Sequence, residues 1–476
     1  MNKSRSYFYF FILAIILVLS LFTDWYVPLL LALTITILLS ILDKLGKGIV
    51  LRELIALHSC VVCLLMPWVG YEWYTISNPL ARTWVRYMPV PSEIYFPFAL
   101  PAIAAFSLAI CWPMKKGTIK DEGEYMNKYL LRLKVVLQNN PSAGLQIMIA
   151  ALIASFITPF LPVALQLVGN LIAWSAFAAI LYIFFNPSKL YRLPLILLFV
   201  VFVVVQALQQ GMFTIVAYMG ITIFSFLFLN KRSAMWKKVS IFVISIFLLL
   251  VVQSVKSSYR RYTWFQNYQG NKIILFSNLV TEKLTDFSNL FTEDAFFPIY
   301  YRVNQGFNVA LVMHRFPAVK EFDNGSRLAI VAASAVVPRF LWPDKPEAGG
   351  KFNMQYYTGL TINGYSTDVG PLGEAYGSFG VMGGIVYMFF LGLFVRWAYV
   401  KVFTIGDKIP LLILWIPVLF FQVTYSAEND TLQILNSLFK SAFLIYLIFK
   451  AFPALFGLGK SLQKKKNTGQ PGLNPI

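Results

Sequence analysis

Charged residues are scarce in this chain. Only 13% of its 476 residues are Asp, Glu, Lys or Arg, whereas 58% are hydrophobic, and the mean hydropathy is +0.66. Soluble domains carry about 25% charged residues, so this composition excludes both a soluble enzyme and a disordered chain. Apolar runs of the roughly 20 residues that a helix needs to cross a bilayer recur along the sequence. The composition therefore predicts an all-α polytopic membrane protein.

Cysteine and histidine are also rare, with three and two residues. Cys60 and Cys63 fall in a predicted span and Cys111 near the inner face, so no disulfide framework can brace an outer loop. His58 joins the first two cysteines in an H-x-C-x-x-C pattern. That pattern lies in an apolar helix with no fourth ligand nearby, which favours helix packing over a zinc site. We expect no metal and no other cofactor.

Acidic residues are about half as numerous as basic ones, 21 against 40, which gives a formal net charge of +19. The basic residues fall almost entirely in alternate connectors and in the tail. Of the short connectors assigned to the outer side, only the one with Arg82 and Arg86 carries Lys or Arg. Such a bias indicates the positive-inside rule, with both termini inside the cell, and removes the need for a nucleic-acid partner.

The apolar runs predict about twelve transmembrane helices and four regions of the chain. The spans fall near 7–22, 26–42, 50–70, 92–113, 144–160, 162–186, 193–209, 212–230, 239–255, 371–395, 409–425 and 432–454. Residues 1–255 hold the first nine helices, 256–370 form one large outer loop, 371–455 hold three more helices, and 456–476 are a basic cytoplasmic tail.

The large outer loop, 256–370, is the region where chemistry is expected, because it is rich in arginine and aromatic residues. Within it, 328–337 is small and apolar but too short to span, which favours an interfacial or re-entrant helix. We expect the loop to form a small helical cap on the outer membrane surface.

Arg260 and Arg261 stand at the outer end of the predicted ninth span, where the positive-inside rule does not call for charge. Two guanidinium groups can bind a diphosphate through bidentate hydrogen bonds, while neighbouring aromatic rings stack on sugars. Snorkelling to lipid headgroups is the structural alternative. Arg302 and Arg339 are further candidates in the same loop.

The predicted tenth span begins with a glycine-rich segment. Gly373 with Gly377, and Gly380 with Gly384, form two G-x-x-x-G steps that allow another helix to approach closely. Glu374 lies at the outer mouth of this helix, so it faces either a site or a packing interface.

Three segments together resemble the Wzy-type polymerases of oligosaccharide repeat units. They are Tyr301-Arg302-Val303-Asn304-Gln305, the Pro-Arg-Phe-Leu-Trp-Pro-Asp-Lys-Pro run at 338–346, and Gly370-Pro371-Leu372-Gly373-Glu374-Ala375-Tyr376 with Phe379-Gly380. The similarity is concentrated in 256–395. Elsewhere it rests on the layout of about twelve helices with one large late outer loop.

The resemblance implies a glycosyltransferase that polymerises O-antigen or exopolysaccharide units at the periplasmic face of a bacterial inner membrane. Its donor and acceptor are units linked to undecaprenyl diphosphate, without metal or nucleotide. Membrane lipids are further partners, and the resemblance leaves room for a chain-length regulator protein. The residues expected to bind the diphosphates and sugars, or to stabilise departing charge, are Arg260, Arg261, Arg302, Arg339, Lys345, Tyr301 and Trp342.

The acceptor hydroxyl needs a group that takes or orients its proton. The available candidates are Glu374, His314, Asp344 and Glu428, with Glu374 the first choice and His314 included among the catalytic residues. Glu428 either helps to cap the last helix or reaches the site.

Three other functions remain open from the sequence. An O-antigen ligase releases the same lipid diphosphate, and the sequence separates it poorly from a polymerase. A polysaccharide flippase or other transporter shares the helical layout, although the predicted spans are nearly free of charge and carry no visible repeat. A non-catalytic assembly partner would leave the arginines of the loop unexplained.

Overall fold

The computed structural model describes residues 23–114, 122–188, 192–210, 292–337, 341–362 except 348, and 367–458, together with parts of 223–285 that leave out 256, 257, 260 and 267 among others. Within these ranges the regular structure is helical, apart from one isolated bridge between Leu45 and Gly48.

The described helices follow one another along the chain. They are α1 (Tyr26–Lys44), α2 (Leu51–Glu72, with a π-helical turn at Val61–Leu65), α3 (Pro79–Thr83), α4 (Ser92–Cys111), α5 (Glu122–Asn139), α6 (Ala143–Ile157), α7 (Val163–Trp174), α8 (Ala176–Phe185), α9 (Arg192–Gln210), α10 (Lys272–Thr285), α11 (Glu293–Val303), α12 (Gln305–Arg315), α13 (Ser326–Val336), α14 (Gly350–Thr358), α15 (Gly370–Gly406), α16 (Ile416–Leu419), α17 (Phe421–Thr424) and α18 (Thr431–Ala451).

Seven helical stretches in the described ranges are long and apolar enough to cross a membrane. They are Tyr26–Lys44, Leu51–Glu72, Ser92–Cys111, Ala143–Phe160, Val168–Phe185, Gly370–Gly406 and Thr431–Ala451. Each coincides with a predicted span, which supports an all-helical membrane protein. The expected span at 7–22 lies outside the described residues, and most of the span at 212–230 does too. The total of twelve spans stays a prediction.

The predicted span at 409–425 is not one continuous helix. The chain instead forms a 3-10 turn at Pro410–Trp415, then α16, α17 and a second 3-10 turn at Ser426–Glu428. Pro410 and Pro417 each stand in the first turn of a new helical piece. Proline lacks the N–H that would continue the preceding helix, so the apolar run breaks into short pieces.

Helix α15 folds back on itself at Gly380, where φ is 65° and ψ is −156°. Glu374 and Tyr387, on either side of the break, both hydrogen-bond to Thr431, at 2.5 Å and 2.7 Å between side-chain oxygens. A straight helix would separate these two residues by about 20 Å along its axis. The chain therefore turns back at Gly380, and residues 370–379 pack against the part of α15 that follows. We call residues 370–379 the re-entrant part of α15.

The second part of α15 packs closely on α4 through glycine. A Cβ atom on Gly384 would lie 2.7 Å from the ring of Phe98, and one on Gly392 would lie 2.7 Å from the carbonyl oxygen of Phe106. Only glycine leaves the space for this approach, which matches the close packing expected of small residues in membrane helices.

The segment predicted as an outer loop contributes a helix to the core. Helix α12 buries Val309, Ala310 and Val312 in the same apolar cluster that contains the spans. The region is thus more than a cap on the membrane surface, because α12 offers a continuous apolar face that the spans cover. Helix α13 appears where 328–337 predicted a short apolar helix, and its eleven residues are too few to span.

Candidate functional site

An ion pair joins the end of α11 to the turn before α18. Arg302 donates from Nη1 to Glu428 Oε2 at 2.7 Å, and the other carboxylate oxygen of Glu428 lies 3.1 Å from His58 Nε2. The side chain of Arg302 is 46% exposed, whereas those of Glu428 and His58 are 10% and 18% exposed. The three side chains form a polar chain that runs from an open position into the helix bundle.

Local structure positions each member of this chain. Helix α11 ends at Val303, and the side chain of Asn304 then accepts from Phe307 N at 3.2 Å, which caps α12. Arg302 is thereby held at the junction of two helices. Glu428 ends a 3-10 turn, and Asp430 caps α18 directly after it through the backbone of Gln433. The broken region before α18 is what turns Glu428 toward Arg302.

A second arginine, Arg86, contacts the residue that precedes Arg302. Arg86 donates from Nη2 to the hydroxyl of Tyr301 at 2.6 Å, and its Cζ lies 4.1 Å from the centroid of that ring. The same guanidinium is 5.0 Å from the ring of Phe307. Cations over aromatic faces are stabilised by the ring quadrupole, so the rings of Tyr301 and Phe307 help to hold Arg86 in place. Consecutive residues of α11 thus place two guanidinium groups: Arg302 carries one, and Tyr301 binds that of Arg86.

Glu374 is buried in the protein rather than open to a site. Its side chain is 1% exposed. One carboxylate oxygen accepts from Thr431 N at 2.9 Å and from Thr431 Oγ1 at 2.5 Å, and the other accepts from Asn353 Nδ2 at 2.8 Å. Both carboxylate oxygens accept hydrogen bonds, and Glu374 therefore links α14 and α18 to the re-entrant part of α15. Of the two alternatives that the sequence leaves open for Glu374, a site or a packing interface, these contacts favour the packing interface.

Two further buried carboxyl groups lie near Glu374. Asp430 accepts from the backbone of Gln433 and from Gly349 N, the latter at 2.7 Å. Asp368 accepts from Val369 N at 2.7 Å. Burial raises the pKa of the Asp368 carboxyl well above its ordinary value, and the nearby charges of Asp430 and Glu374 raise it further. The protonated form of Asp368 is therefore favoured in the folded protein.

The polar face of α12 attaches to the same region. Gln305 Nε2 and Asn308 Nδ2 both donate to the carbonyl oxygen of Asp368 at 2.8 Å, and Asn308 also donates to Thr367 Oγ1 at 2.8 Å. These bonds satisfy backbone groups just before α15 that would otherwise be buried without partners. They fix the start of the re-entrant part of α15 relative to α12. Arg302 lies three residues before Gln305, the first residue of α12.

Lys345 has a structural position. Its ammonium donates to the carbonyl oxygens of Ser334 at 2.8 Å and Val337 at 2.7 Å, at the C-terminal end of α13. A lysine that binds terminal carbonyls stabilises a helix end. Trp342 is half-buried and Asp344 exposed in the turn before it. Lys345 thus caps α13, and its contact with a diphosphate stays a prediction.

His314 lies at the opposite end of α12 from Arg302. It is exposed in the last turn of that helix. The rise of α12 from Gln305 to His314 is about 14 Å, so His314 is not part of the polar chain of Arg302, Glu428 and His58. The structure does not bring this candidate proton acceptor to the predicted arginine.

The other predicted arginines are Arg260, Arg261 and Arg339. Arg260 and Arg339 lie outside the described residues. Arg261 is exposed in a π-helical turn at Arg261–Phe265. The neighbouring Tyr259 packs with Leu279 of α10 in a small apolar cluster separate from the main core.

The members of the site that sequence reasoning missed are His58 and Arg86. His58 was assigned to helix packing with Cys60 and Cys63, and the structure buries both cysteines but directs the histidine to Glu428. A signal for Arg86 was present, because it is a basic residue in a short connector predicted to be outer. Charge that topology does not require is a reason to look for a partner.

The fold and these contacts define an all-helical membrane protein with an interior chain of ionisable residues. Comparison of this chain with protein-family models, with curated proteins and with solved structures finds no match. The function is therefore argued from the site itself.

Proposed function

We propose that the protein is a polymerase of lipid-linked oligosaccharide repeat units, acting at the outer face of a bacterial inner membrane. It transfers a growing glycan from undecaprenyl diphosphate to a hydroxyl of an incoming lipid-linked unit. The repeat units belong to an O-antigen or an exopolysaccharide. The motifs around Arg302 and in 338–346 and 370–380 support the proposal, because they resemble those of Wzy-type polymerases.

The observation that carries the proposal is the geometry of Arg302. Its guanidinium pairs with Glu428 at 2.7 Å, and the side chain as a whole is 46% exposed. A charge held in one orientation stabilises developing negative charge without a reorganisation cost. Arginine also presents paired donors to phosphate oxygens, which a diphosphate leaving group requires.

In the proposed reaction the acceptor hydroxyl oxygen attacks the anomeric carbon of the donor sugar. The bond from that carbon to the diphosphate oxygen breaks, and the diphosphate leaves with the electron pair. The hydroxyl proton passes to the Glu428–His58 pair, since both side chains can accept it and lie within 3.1 Å of each other. Glu428 thus replaces Glu374 as the proposed proton acceptor.

Arg86 and Tyr301 extend the proposed site toward the sugars. Aromatic rings stack on the apolar faces of sugars, and the arginine over Tyr301 fixes that ring. Arg260, Arg261 and Arg339 remain proposed contacts for the second diphosphate, with Trp342 as a further sugar contact.

The test is an assay with purified protein in nanodiscs and the host's lipid-linked repeat unit, without added nucleotide or metal, resolved by glycan size. We expect a ladder of products for the native chain and none for Arg302→Ala. The matched control is Arg82→Ala, which removes an exposed arginine of the connector that also carries Arg86. A ladder from Arg302→Ala at equal protein level would contradict the role of Arg302.

A transporter is the second candidate, and one observation favours it. The broken region at 410–428 and the re-entrant part of α15 meet an interior ionisable chain, as in the discontinuous helices of secondary transporters. In proteoliposomes a transporter would move the lipid-linked unit across the bilayer without forming longer glycans. A single transfer to a lipid A core acceptor would instead indicate a ligase.

A further inference from the structure

Two cations, Lys320 and Arg327, lie over the ring of Tyr356 beyond the end of α12, and a third, Arg315, lies close to Lys320. Lys320 Nζ lies 3.1 Å from the centroid of the Tyr356 ring, and Arg327 Cζ lies 5.1 Å from the same centroid. Arg315 is close enough to lower the pKa of Lys320, as Arg327 does, although burial is the larger cause and Asp323 acts in the opposite direction. Like charges so near one another are unfavourable unless something compensates them.

The protein supplies little compensation within the part of the chain that is described. Asp323 is the one carboxylate that acts on Lys320, and its oxygens already accept from Gly325 N at 2.9 Å and Tyr356 Oη at 3.0 Å. The Nε atoms of Arg315 and Arg327 are buried and have no hydrogen-bond partner. Buried donors of this kind are rare in folded proteins, and binding of an anion is one way to satisfy them.

The backbone makes room for this arrangement. Gly359, with φ of +80°, ends α14, and a Cβ atom there would lie 1.9 Å from Nη1 of Arg315. The arginine therefore occupies space that any other residue at 359 would fill. All three cations are half-buried, so their charge costs more than at an open surface and is better compensated by a bound anion.

We propose that Arg315, Lys320 and Arg327 form a binding site for a lipid phosphate group. The two sources with this chemistry are the phosphodiester headgroup of a bilayer lipid and the diphosphate of a polyprenyl lipid. The site is distinct from the Arg302–Glu428 pair, because α12 separates Arg302 from Arg315 along its length. The proposal does not require that the protein be a polymerase.

Apolar surface adjoins the cations, as an amphiphile requires. Val319, next to Lys320, is 72% exposed. Phe379 contacts Gly325 at the break of α15 and is itself partly exposed. The cations thus lie beside the point where the re-entrant segment turns, with acyl or prenyl chains able to lie along the apolar residues while the phosphate meets the guanidinium groups.

The experiment measures lipid binding by native mass spectrometry on the full chain purified in maltoside detergent. The probes are dioleoyl phosphatidylglycerol, dioleoylglycerol of the same chains without phosphate, and undecaprenyl diphosphate. We expect the native protein to bind phosphate-bearing lipid at least tenfold more tightly than dioleoylglycerol. Preference for undecaprenyl diphosphate over phosphatidylglycerol identifies the polyprenyl source, and the reverse identifies the bilayer source.

The variant with Arg315→Gln, Lys320→Gln and Arg327→Gln should lose this preference. Its control carries Arg82→Gln, Lys272→Gln and Lys351→Gln, which remove three exposed cations elsewhere and change the net charge equally. Equal loss in both variants, or no loss in either, would overturn the proposal. If the triple variant does not fold, Gly359→Ala displaces Arg315 alone and should weaken phosphate-lipid binding, while unchanged binding would again overturn it.

Discussion

Arg302 and Glu428 form an ion pair with 2.7 Å between Nη1 and Oε2, although 126 positions separate them in the chain. The pair connects the end of α11 to the broken region before α18, and His58 of α2 joins it from a third segment. Because Arg302 is 46% exposed, the pair contributes little to folding, about 1 kcal/mol or less. We therefore expect the Arg302–Glu428 pair to serve function more than stability.

The first prediction separates these two contributions. Arg302→Ala should lower the free energy of unfolding by about 1 kcal/mol, since solvent screens the arginine and Glu428 keeps its contact with His58. Polymer formation should fall by about 100-fold or more, since a fixed donor to the leaving group is lost. Thermal unfolding in detergent and the glycan ladder measure the two effects on the same preparation. A fall in activity that only tracks a fall in folded protein would make the arginine structural.

The second prediction concerns Glu374. Glu374→Gln should keep nearly native activity, because the Asn353 amide can reverse to offer its oxygen to the new NH2 group while Thr431 keeps its acceptor. Glu374→Ala should cost about 3–5 kcal/mol, because buried donors lose their partner. Protein yield, thermal unfolding and the ladder measure this. A large loss of activity in a well-folded Glu374→Gln protein would restore Glu374 as a proton acceptor.

Much of the fold follows from local sequence signals. Long apolar runs such as 92–113 predict a span because hydropathy is a property of consecutive residues, and α4 appears there. The run at 328–337 predicts a short helix because it is apolar but too short to span, and α13 lies there. The prediction of a single helix at 409–425 was wrong. It followed the hydropathy of the run, whereas Pro410 and Pro417 break the helix there.

The site was less accessible to prediction because its contacts are non-local. Arg302 was expected from its motif and its charge, but the approach of Glu428 and His58 depends on how three helices are arranged in space. The glycine spacing in α15 predicted close packing without indicating that Gly380 reverses the chain. That reversal is what places Glu374 beside Thr431 instead of at an open mouth.

The third prediction follows from the raised pKa of Asp368. A carboxyl that holds its proton in the folded state and releases it when unfolded stabilises the protein at low pH, and this stability is lost as pH rises through the folded pKa. Asp368→Asn mimics the protonated form. Its free energy of unfolding should match that of the native protein at acidic pH and exceed it at alkaline pH. Thermal unfolding across pH measures the difference. An offset between the two proteins that is the same at every pH would contradict the protonated state.

The fourth prediction tests the reversal of α15. Gly380 has φ of 65° and ψ of −156°, a conformation that residues with a Cβ atom rarely adopt. Gly380→Ala should therefore lower the free energy of unfolding by about 1–3 kcal/mol. Val381→Ala, at the next position on an exposed face, serves as the control and should change it by about 0.5 kcal/mol or less.

The same substitution has a functional consequence that distinguishes a reversal from a simple bend. A straightened α15 would draw Glu374 away from Thr431, to which Tyr387 is also bonded, and would release the start of α18 beside Glu428. In the native background a double-mutant cycle between Glu374→Gln and Tyr387→Phe should give a coupling free energy of about 0.5 kcal/mol or more, because both side chains bond to the Thr431 hydroxyl. The coupling should fall when Gly380→Ala is added. No coupling in the native background would mean that α15 does not bring Glu374 and Tyr387 together.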